Sequence, residues 1–205
     1  MITGLLLAAG AGRRLGAPKA ELVLGGTRLI DRAVQVLREG GCEEVLAVVR
    51  SALVIVDGAR TVVNPTPDEG MGSSLRCGLA ALPPQCSACV VLLVDLPAIR
   101  AAEVAAVIEA HRAGAELVAV RRAGLRSHPV LVGRGWYPEF AAAAVGDEGG
   151  RGFFRAHQAA TVFIDYPEPI RDIDTVEDLR AAELSLAEPE RPKQPVPSET
   201  PPPAE

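Results

Sequence analysis

Short, almost wholly apolar runs alternate with helix-patterned stretches along most of this chain, and that alternation constrains its fold more than any other feature. Leu5-Leu6-Leu7-Ala8, residues 45–49, Thr61-Val62-Val63, residues 90–94 and residues 117–120 are too short for core helices, so they read as strands. Between them Ile30, Val34 and Leu37 recur on one helical face and stop at Gly40-Gly41. Val104, Val107, Ile108 and His111 share another helical face. Strands apolar on both sides and joined by helices predict an α/β fold, a three-layer sandwich around a mostly parallel central sheet. In such sheets ligands bind beyond the C-terminal ends of the strands.

Further along, Ser73 or Ser74 is expected to cap a helix running to about Leu82 and ended by Pro83-Pro84. Residues 128–132 and 162–164 are strand-like, whereas residues 140–144, 153–157 and 176–186 are helical. From Glu188 onward prolines recur among polar residues, a composition that cannot repay its ordering entropy. The expectation is one domain over residues 1–187, then a disordered tail over 188–205, solvated or offered to an SH3-like partner.

Composition excludes several functions. Aromatic residues make up only 3% of the chain, too few for a base-stacking surface, and the net charge of −5 disfavours a broad nucleic-acid contact. No apolar run approaches the roughly 20 residues that span a membrane. The start, Met1-Ile2-Thr3-Gly4, lacks a basic leader region, so a cytoplasmic protein is expected. Cys86 and Cys89 form a C-x-x-C, but a zinc site lacks its second pair and no helix starts at Cys86. These thiols are read as buried or loop residues. Of the 21 basic residues only Lys19 and Lys193 are lysines, and Lys193 falls in the proline-rich tail. Either composition alone explains this, or a compact ammonium is needed at position 19, where a planar guanidinium cannot substitute.

Lys19 closes a glycine-rich segment that directly follows the first strand, Leu7-Ala8-Ala9-Gly10-Ala11-Gly12-Arg13-Arg14-Leu15-Gly16-Ala17-Pro18-Lys19. Glycines there let backbone N–H groups approach phosphate oxygens, and Arg13, Arg14 and Lys19 add cations. The segment is not a Walker A loop, because the residues before Lys19 do not fit and Ala20 follows it. It is not a dinucleotide fingerprint either: the third glycine comes one residue late, and Pro18 blocks a helix. An ordinary strand-to-loop turn and a polyphosphate cradle remain, and the charged triplet favours the cradle.

Asp95 follows an apolar strand at the ligand end of the sheet, where a carboxylate either holds Mg²⁺ or caps the next helix. Asp172 and Asp174 flank Ile173 and point the same way on an extended segment; with Thr175, Glu177 and Asp178 following, they too fit plain capping. Asn64 and residues 68–74 form a glycine-rich approach to a helix whose serine hydroxyls suit a base edge or a phosphate. His128 suits contact with a second substrate, while His111 and His157 look structural. Arg151, in a glycine-rich turn, either clamps a phosphate or is simply solvated.

These segments, taken in order, resemble the molybdenum cofactor nucleotidyltransferases, most closely their cytidylyltransferase branch. The resemblance rests on residues 7–19, Glu69-Gly70-Met71-Gly72-Ser73-Ser74-Leu75, Leu93-Val94-Asp95-Leu96-Pro97, His128-Pro129-Val130-Leu131, Gly146-Asp147-Glu148-Gly149-Gly150-Arg151 and residues 172–179. It covers nearly everything before the tail. Asp-Leu-Pro stands where the family more often has Asp-Met-Pro, a volume-conserving change.

The resemblance implies a Rossmann-like fold of the nucleotide-diphospho-sugar transferase type. It implies Mg²⁺ held by Asp95 and Asp174, and nucleotide contacts from Ala8, Ala9, Gly10, Gly12, Arg13, Ser73, Ser74 and Asp95. Lys19 and Arg14 are the implied catalytic cations, and His128 and Arg151 the acceptor contacts. The implied reaction transfers CMP from CTP to the phosphate of molybdopterin, releasing pyrophosphate, with a molybdoenzyme as the recipient of the product. Guanylyl-transferring relatives tend to have glycine in place of Ala9, so the alanine points to CTP over GTP. The alternatives are GTP as donor, a sugar phosphate, alcohol phosphate or phospholactate as acceptor, a non-catalytic cofactor-delivery protein, and a dinucleotide-binding oxidoreductase.

Overall fold

The computed structural model describes residues 1–187. The chain runs β1 (Ile2–Ala8), β2 (Val23–Leu24), β3 (Thr27–Arg28), α1 (Leu29–Glu39), β4 (Glu44–Val49), β5 (Arg60–Val63) and α2 (Met71–Ala80). It continues with β6 (Ala88–Leu93), α3 (Ala101–Arg112), β7 (Leu117–Arg122), β8 (Leu125–Gly133), α4 (Tyr137–Ala143), α5 (Arg151–Ala156), β9 (Thr161–Tyr166) and α6 (Val176–Ala187). Seven strands form one sheet in the order β5-β4-β1-β6-β8-β7-β9. Among the described residues, β8 alone runs against the others, pairing antiparallel with both β6 and β7.

The three-layer expectation holds, and its cause is visible in the alternation of side chains along each strand. In β1, Leu6 and Ala8 face a core built with Ile30, Val34, Leu37, Val104 and Ile108 of α1 and α3. Leu5 and Leu7 face the opposite core, built with Leu75 and Leu79 of α2, Phe140 of α4, and Phe153 and Phe154 of α5. Burial on both faces is why these strands read as continuous apolar runs. The sparse aromatics are concentrated: Phe140, Phe153 and Phe154 pack edge-on and tilted at ring separations of 5.0–5.8 Å beneath β8.

One expectation needs correction, and two features went unread. Neither Ser73 nor Ser74 caps α2. Gly70 is the N-cap, at φ +95°, and both serines lie within the first turn. The β2–β3 ribbon escaped the sequence pattern because each strand has only two residues. The reversed direction of β8 also carries no signature in the sequence, since its apolar run matches those of its parallel neighbours. Cys86 and Cys89 are fully buried, and burial raises the Cys89 thiol well above its ordinary range, as the structural-thiol reading requires. The expected tail over 188–205 lies outside the described residues.

Candidate active site

The C-terminal ends of β1, β4 and β6 open onto a cleft of about 370 Å³. Its near edge is the glycine loop. Gly12 sits at φ +59°, and a Cβ there would fall 1.9 Å from the Ala17 carbonyl oxygen, so the loop closes on itself only because this residue is glycine. The Lys19 N–H donates to Gly10 O at 3.3 Å, which brings the lysine back beneath the loop at the start of a 3-10 turn, Lys19–Glu21.

From there the Lys19 ammonium reaches Asp95 Oδ2 at 2.7 Å and also donates to Asp174 Oδ1. Burial alone would lower the lysine pKa. Asp95 and Asp174 outweigh it and hold the ammonium above its ordinary value. Asp95 lies two residues past β6, and its carbonyl accepts the Ile173 N–H at 2.9 Å, which docks residues 172–174 onto the sheet end. One carboxylate oxygen from each of Asp95, Asp172 and Asp174 lies within 4.8 Å of the others. The capping alternative belongs to neighbours of these residues. Asp178 Oδ2 accepts the Thr175 N–H at 2.8 Å, and the Thr175 hydroxyl accepts the Asp178 N–H at 3.2 Å, closing the start of α6 without Asp172. Asp174 joins it only through its backbone N–H.

This donor set fits a hard divalent cation. It offers three carboxylates, and Asp95 Oδ1 is buried with no partner among the described residues. An orphaned buried carboxylate oxygen costs free energy that a cation would recover.

The far wall of the cleft is the start of α2. Gly70 packs so closely that a Cβ would sit 2.6 Å from Asp147 Oδ1 and 2.6 Å from the Gly146 carbonyl carbon. The buried Asn64 donates to Ser73 Oγ at 2.8 Å and to Ser74 Oγ at 3.0 Å. Ser74 lines the cleft. Ser73 instead donates to the Thr66 and Gly70 carbonyls and holds the turn.

The glycine loop sorts in the same way. Ala9, Gly10, Gly12 and Arg13 line the cleft. Ala8 does not, because strand alternation buries it on the α1 face. Arg14 is exposed outside the cleft lining and makes no hydrogen bond or ion pair to the described residues.

Sequence reasoning missed Arg50. It directly follows β4 beside the loop, donating through Nε to Ala9 O at 3.1 Å and through its terminal nitrogens to Asp68 at 3.0 and 3.3 Å. Arg13 joins the same carboxylate at 3.0 Å. Arg50 and then Arg13 hold the Asp68 carboxyl below its usual range. A charged residue at the C-terminal end of a buried strand was the available signal.

A second cleft, of about 260 Å³, shares Leu7, Met71, Leu93 and Asp95 with the first and extends beneath β8. His128, Arg151, Arg126 and Asp172 line it. His128 Nδ1 faces Val91 O at 3.2 Å, so that nitrogen carries the proton. Burial, and then the positive charge of Arg126, push the imidazole pKa down to about 3 and keep the ring neutral. The other histidines are structural: His111 Nδ1 meets Ala115 O at 2.7 Å, and His157 packs on Trp136 and Phe153.

Residues 4–161 match the family model of the MobA-like NTP transferase domain, a span that takes in the glycine loop, Ser73, Ser74, Asp95 and His128. The chain belongs to this family. The matched span stops before Asp172 and Asp174, which the fold alone brings to the site.

Over 193 residues this family member is 35% identical to nicotine blue oxidoreductase of Paenarthrobacter nicotinovorans, covering 87% of this chain and 94% of that protein. A probable molybdenum cofactor guanylyltransferase of Opitutus terrae is 38% identical over 106 residues, about half of each chain (49% and 51%). A Mycobacterium tuberculosis protein solved as a manganese complex superposes with a TM-score of 0.69 at 28% identity, covering 90% of this chain and 98% of that one. Among the described residues, no helix is long and apolar enough to cross a membrane.

Proposed function

We propose that residues 1–187 form a metal-dependent nucleotidyltransferase that transfers CMP from CTP to the phosphate of molybdopterin, releasing pyrophosphate, in the cytoplasm. The observation that carries this reading is the meeting of Lys19 with Asp95 and Asp174 at the mouth of a glycine loop. The proposed phosphate-binding ammonium and Asp95, one member of the proposed metal-binding cluster, then face one cleft.

The acceptor phosphate oxygen attacks the α-phosphorus, the bond from that phosphorus to the bridging oxygen breaks, and pyrophosphate leaves with the electron pair. A phosphate monoester is largely ionised near neutral pH, so no side chain has to remove a proton. The chain's work is positioning and charge neutralisation. Gly10 and Gly12 let the backbone approach the triphosphate, and Arg13 and Lys19 donate to its oxygens. We assign Arg14, exposed outside the cleft lining, to the departing pyrophosphate. Ser74 faces the base, with Ser73 holding the turn that presents it. Ala8 underlies the strand end, and Ala9 leaves room for the base above it. Asp95 and Asp174, with Asp172 beside them, would hold Mg²⁺ or Mn²⁺, which supplies further charge neutralisation to the phosphates. The relative solved with manganese supports a divalent metal. His128 and Arg151 contact the acceptor.

Ala9 favours CTP. The name of the Opitutus relative favours GTP, and that of the Paenarthrobacter relative favours redox chemistry. One experiment separates these. The purified chain, with Mg²⁺ or Mn²⁺ and molybdopterin, is given CTP, GTP, UTP or ATP, and pyrophosphate release is followed. A parallel arm follows oxidation of NADH and NADPH. Release dependent on CTP is expected. Release with GTP alone would move the donor to guanosine. Cofactor binding without turnover would make the protein a delivery module, and NAD(P)H oxidation without release would make it an oxidoreductase.

A further inference from the structure

Two arginines in the second cleft have no ion-pair partner among the described residues. Arg126, on β8, lies over the Phe154 ring with its guanidinium carbon 5.4 Å from the ring centroid, and it makes no hydrogen bond or ion pair there. Arg151, the first residue of α5, lines the same cleft and is equally unpaired. Glu148 also lines it, but its nearest cation is Arg155, at 3.5 Å. Burial, and then the charge on Arg151, bring the Arg126 pKa down to about 10. Holding one guanidinium out of water beside another is unfavourable unless an anion joins them.

The rest of the cleft describes the ligand that carries the anion. Val130, Leu75, Phe140 and Phe154 give it an apolar lining, and Asp95 and Asp172 line it as well. A group bound at the arginines therefore shares the cleft with an apolar, partly aromatic surface and with two members of the candidate metal cluster. Two guanidinium forks match the several oxygens of a dianion better than one carboxylate.

We propose that Arg126 and Arg151 form the binding site for the acceptor's phosphate, with Arg126 a substrate-binding residue that no motif marks, and that the acceptor carries a planar or apolar body against the apolar lining. This rests on the nucleotidyl-transfer reading for its meaning, though not for its test.

Binding of phenyl phosphate, and of benzoate as the carboxylate control, is measured calorimetrically on the full chain. Binding of a non-hydrolysable CTP analogue with Mg²⁺ is measured alongside. Wild type is compared with Arg126→Gln, Arg126→Lys and Arg151→Gln, each checked by thermal melting. Phenyl phosphate is expected to bind more tightly than benzoate. Arg126→Gln should weaken it by about tenfold or more, the scale of a lost hydrogen-bonded charge contact. Arg126→Lys should recover part of that loss, and the nucleotide analogue should bind unchanged throughout. Equal phenyl phosphate binding by wild type and Arg126→Gln overturns the proposal. If Arg126→Gln does not fold, Arg151→Gln and Arg126→Lys take its place, and wild-type affinity in both overturns the proposal equally. Nucleotide binding without any phenyl phosphate binding removes the acceptor site and leaves the nucleotidyl-transfer reading standing. Phenyl phosphate binding as expected, with no nucleotide bound, does the reverse.

Discussion

Lys19 donates to Asp95 Oδ2 at 2.7 Å and to the Asp174 carboxylate, so the single lysine among the described residues stands inside the acidic cluster. An ammonium in that position neutralises the carboxylates a divalent cation would use. The same side chain is therefore a counter-charge in the free protein and, on the proposed function, a phosphate ligand once nucleotide arrives.

Replacing Lys19 should separate these roles. Lys19→Met is expected to lower kcat by about a hundredfold or more, the usual loss for one preorganised charge donor. Because two carboxylates lose their ammonium, the nucleotide-free variant should bind Mn²⁺ more tightly than wild type. Electron paramagnetic resonance titration of free Mn²⁺ reads this directly, and weaker or equal affinity in the variant counts against it.

Asp95→Asn should abolish metal-dependent pyrophosphate release without unfolding the chain. Its backbone carbonyl still docks Ile173, and one oxygen of the native carboxylate is already buried without a partner. The melting temperature should hold or rise while turnover is lost. Near-normal turnover with purified Asp95→Asn would remove Asp95 from the site.

His128 makes stability depend on pH. Its folded pKa, about 3, lies below the ordinary 6.5, so the unfolded chain binds more protons between those values. The resulting stability is fully present above pH 6.5 and is lost as pH falls toward 3. His128→Asn should lose less stability than wild type between pH 7 and pH 4, measured by urea unfolding. Parallel curves would show that the ring is not held neutral.

The Arg122–Glu103 pair is buried, at 6% and 1% side-chain exposure, and Arg122 also stacks over Tyr166 at 5.0 Å. Removing one partner strands the other charge. Arg122→Met should cost about 3–5 kcal/mol, and the double variant Glu103→Leu/Arg122→Met should recover most of it. Denaturant unfolding of the three proteins tests the pair, and a double variant no more stable than the single one would contradict it.

What the sequence made legible followed from local periodicity. The strands through Leu6, Ala47, Val91 and Ala119 are buried on both faces and read as unbroken apolar runs, so the parallel core was visible. Lys19 stood out by type and Asp95 by position at a strand end. Ala8 and Ser73 lie outside the cleft lining: each neighbours a cleft residue in sequence and is buried behind it. Arg50 and Arg126 were missed because their meaning comes from what surrounds them, a carbonyl and a carboxylate in one case and an unpaired neighbour in the other.

Residues 19, 95 and 174 meet although 76 positions separate the first two and 155 the outer pair. During synthesis the glycine loop and Asp95 leave the ribosome well before the segment carrying Asp172 and Asp174. A nascent chain at that stage has the start of the sheet and an incomplete acidic cluster. The proposed metal site is thus completed only once Asp174 has been made, after every strand of the sheet.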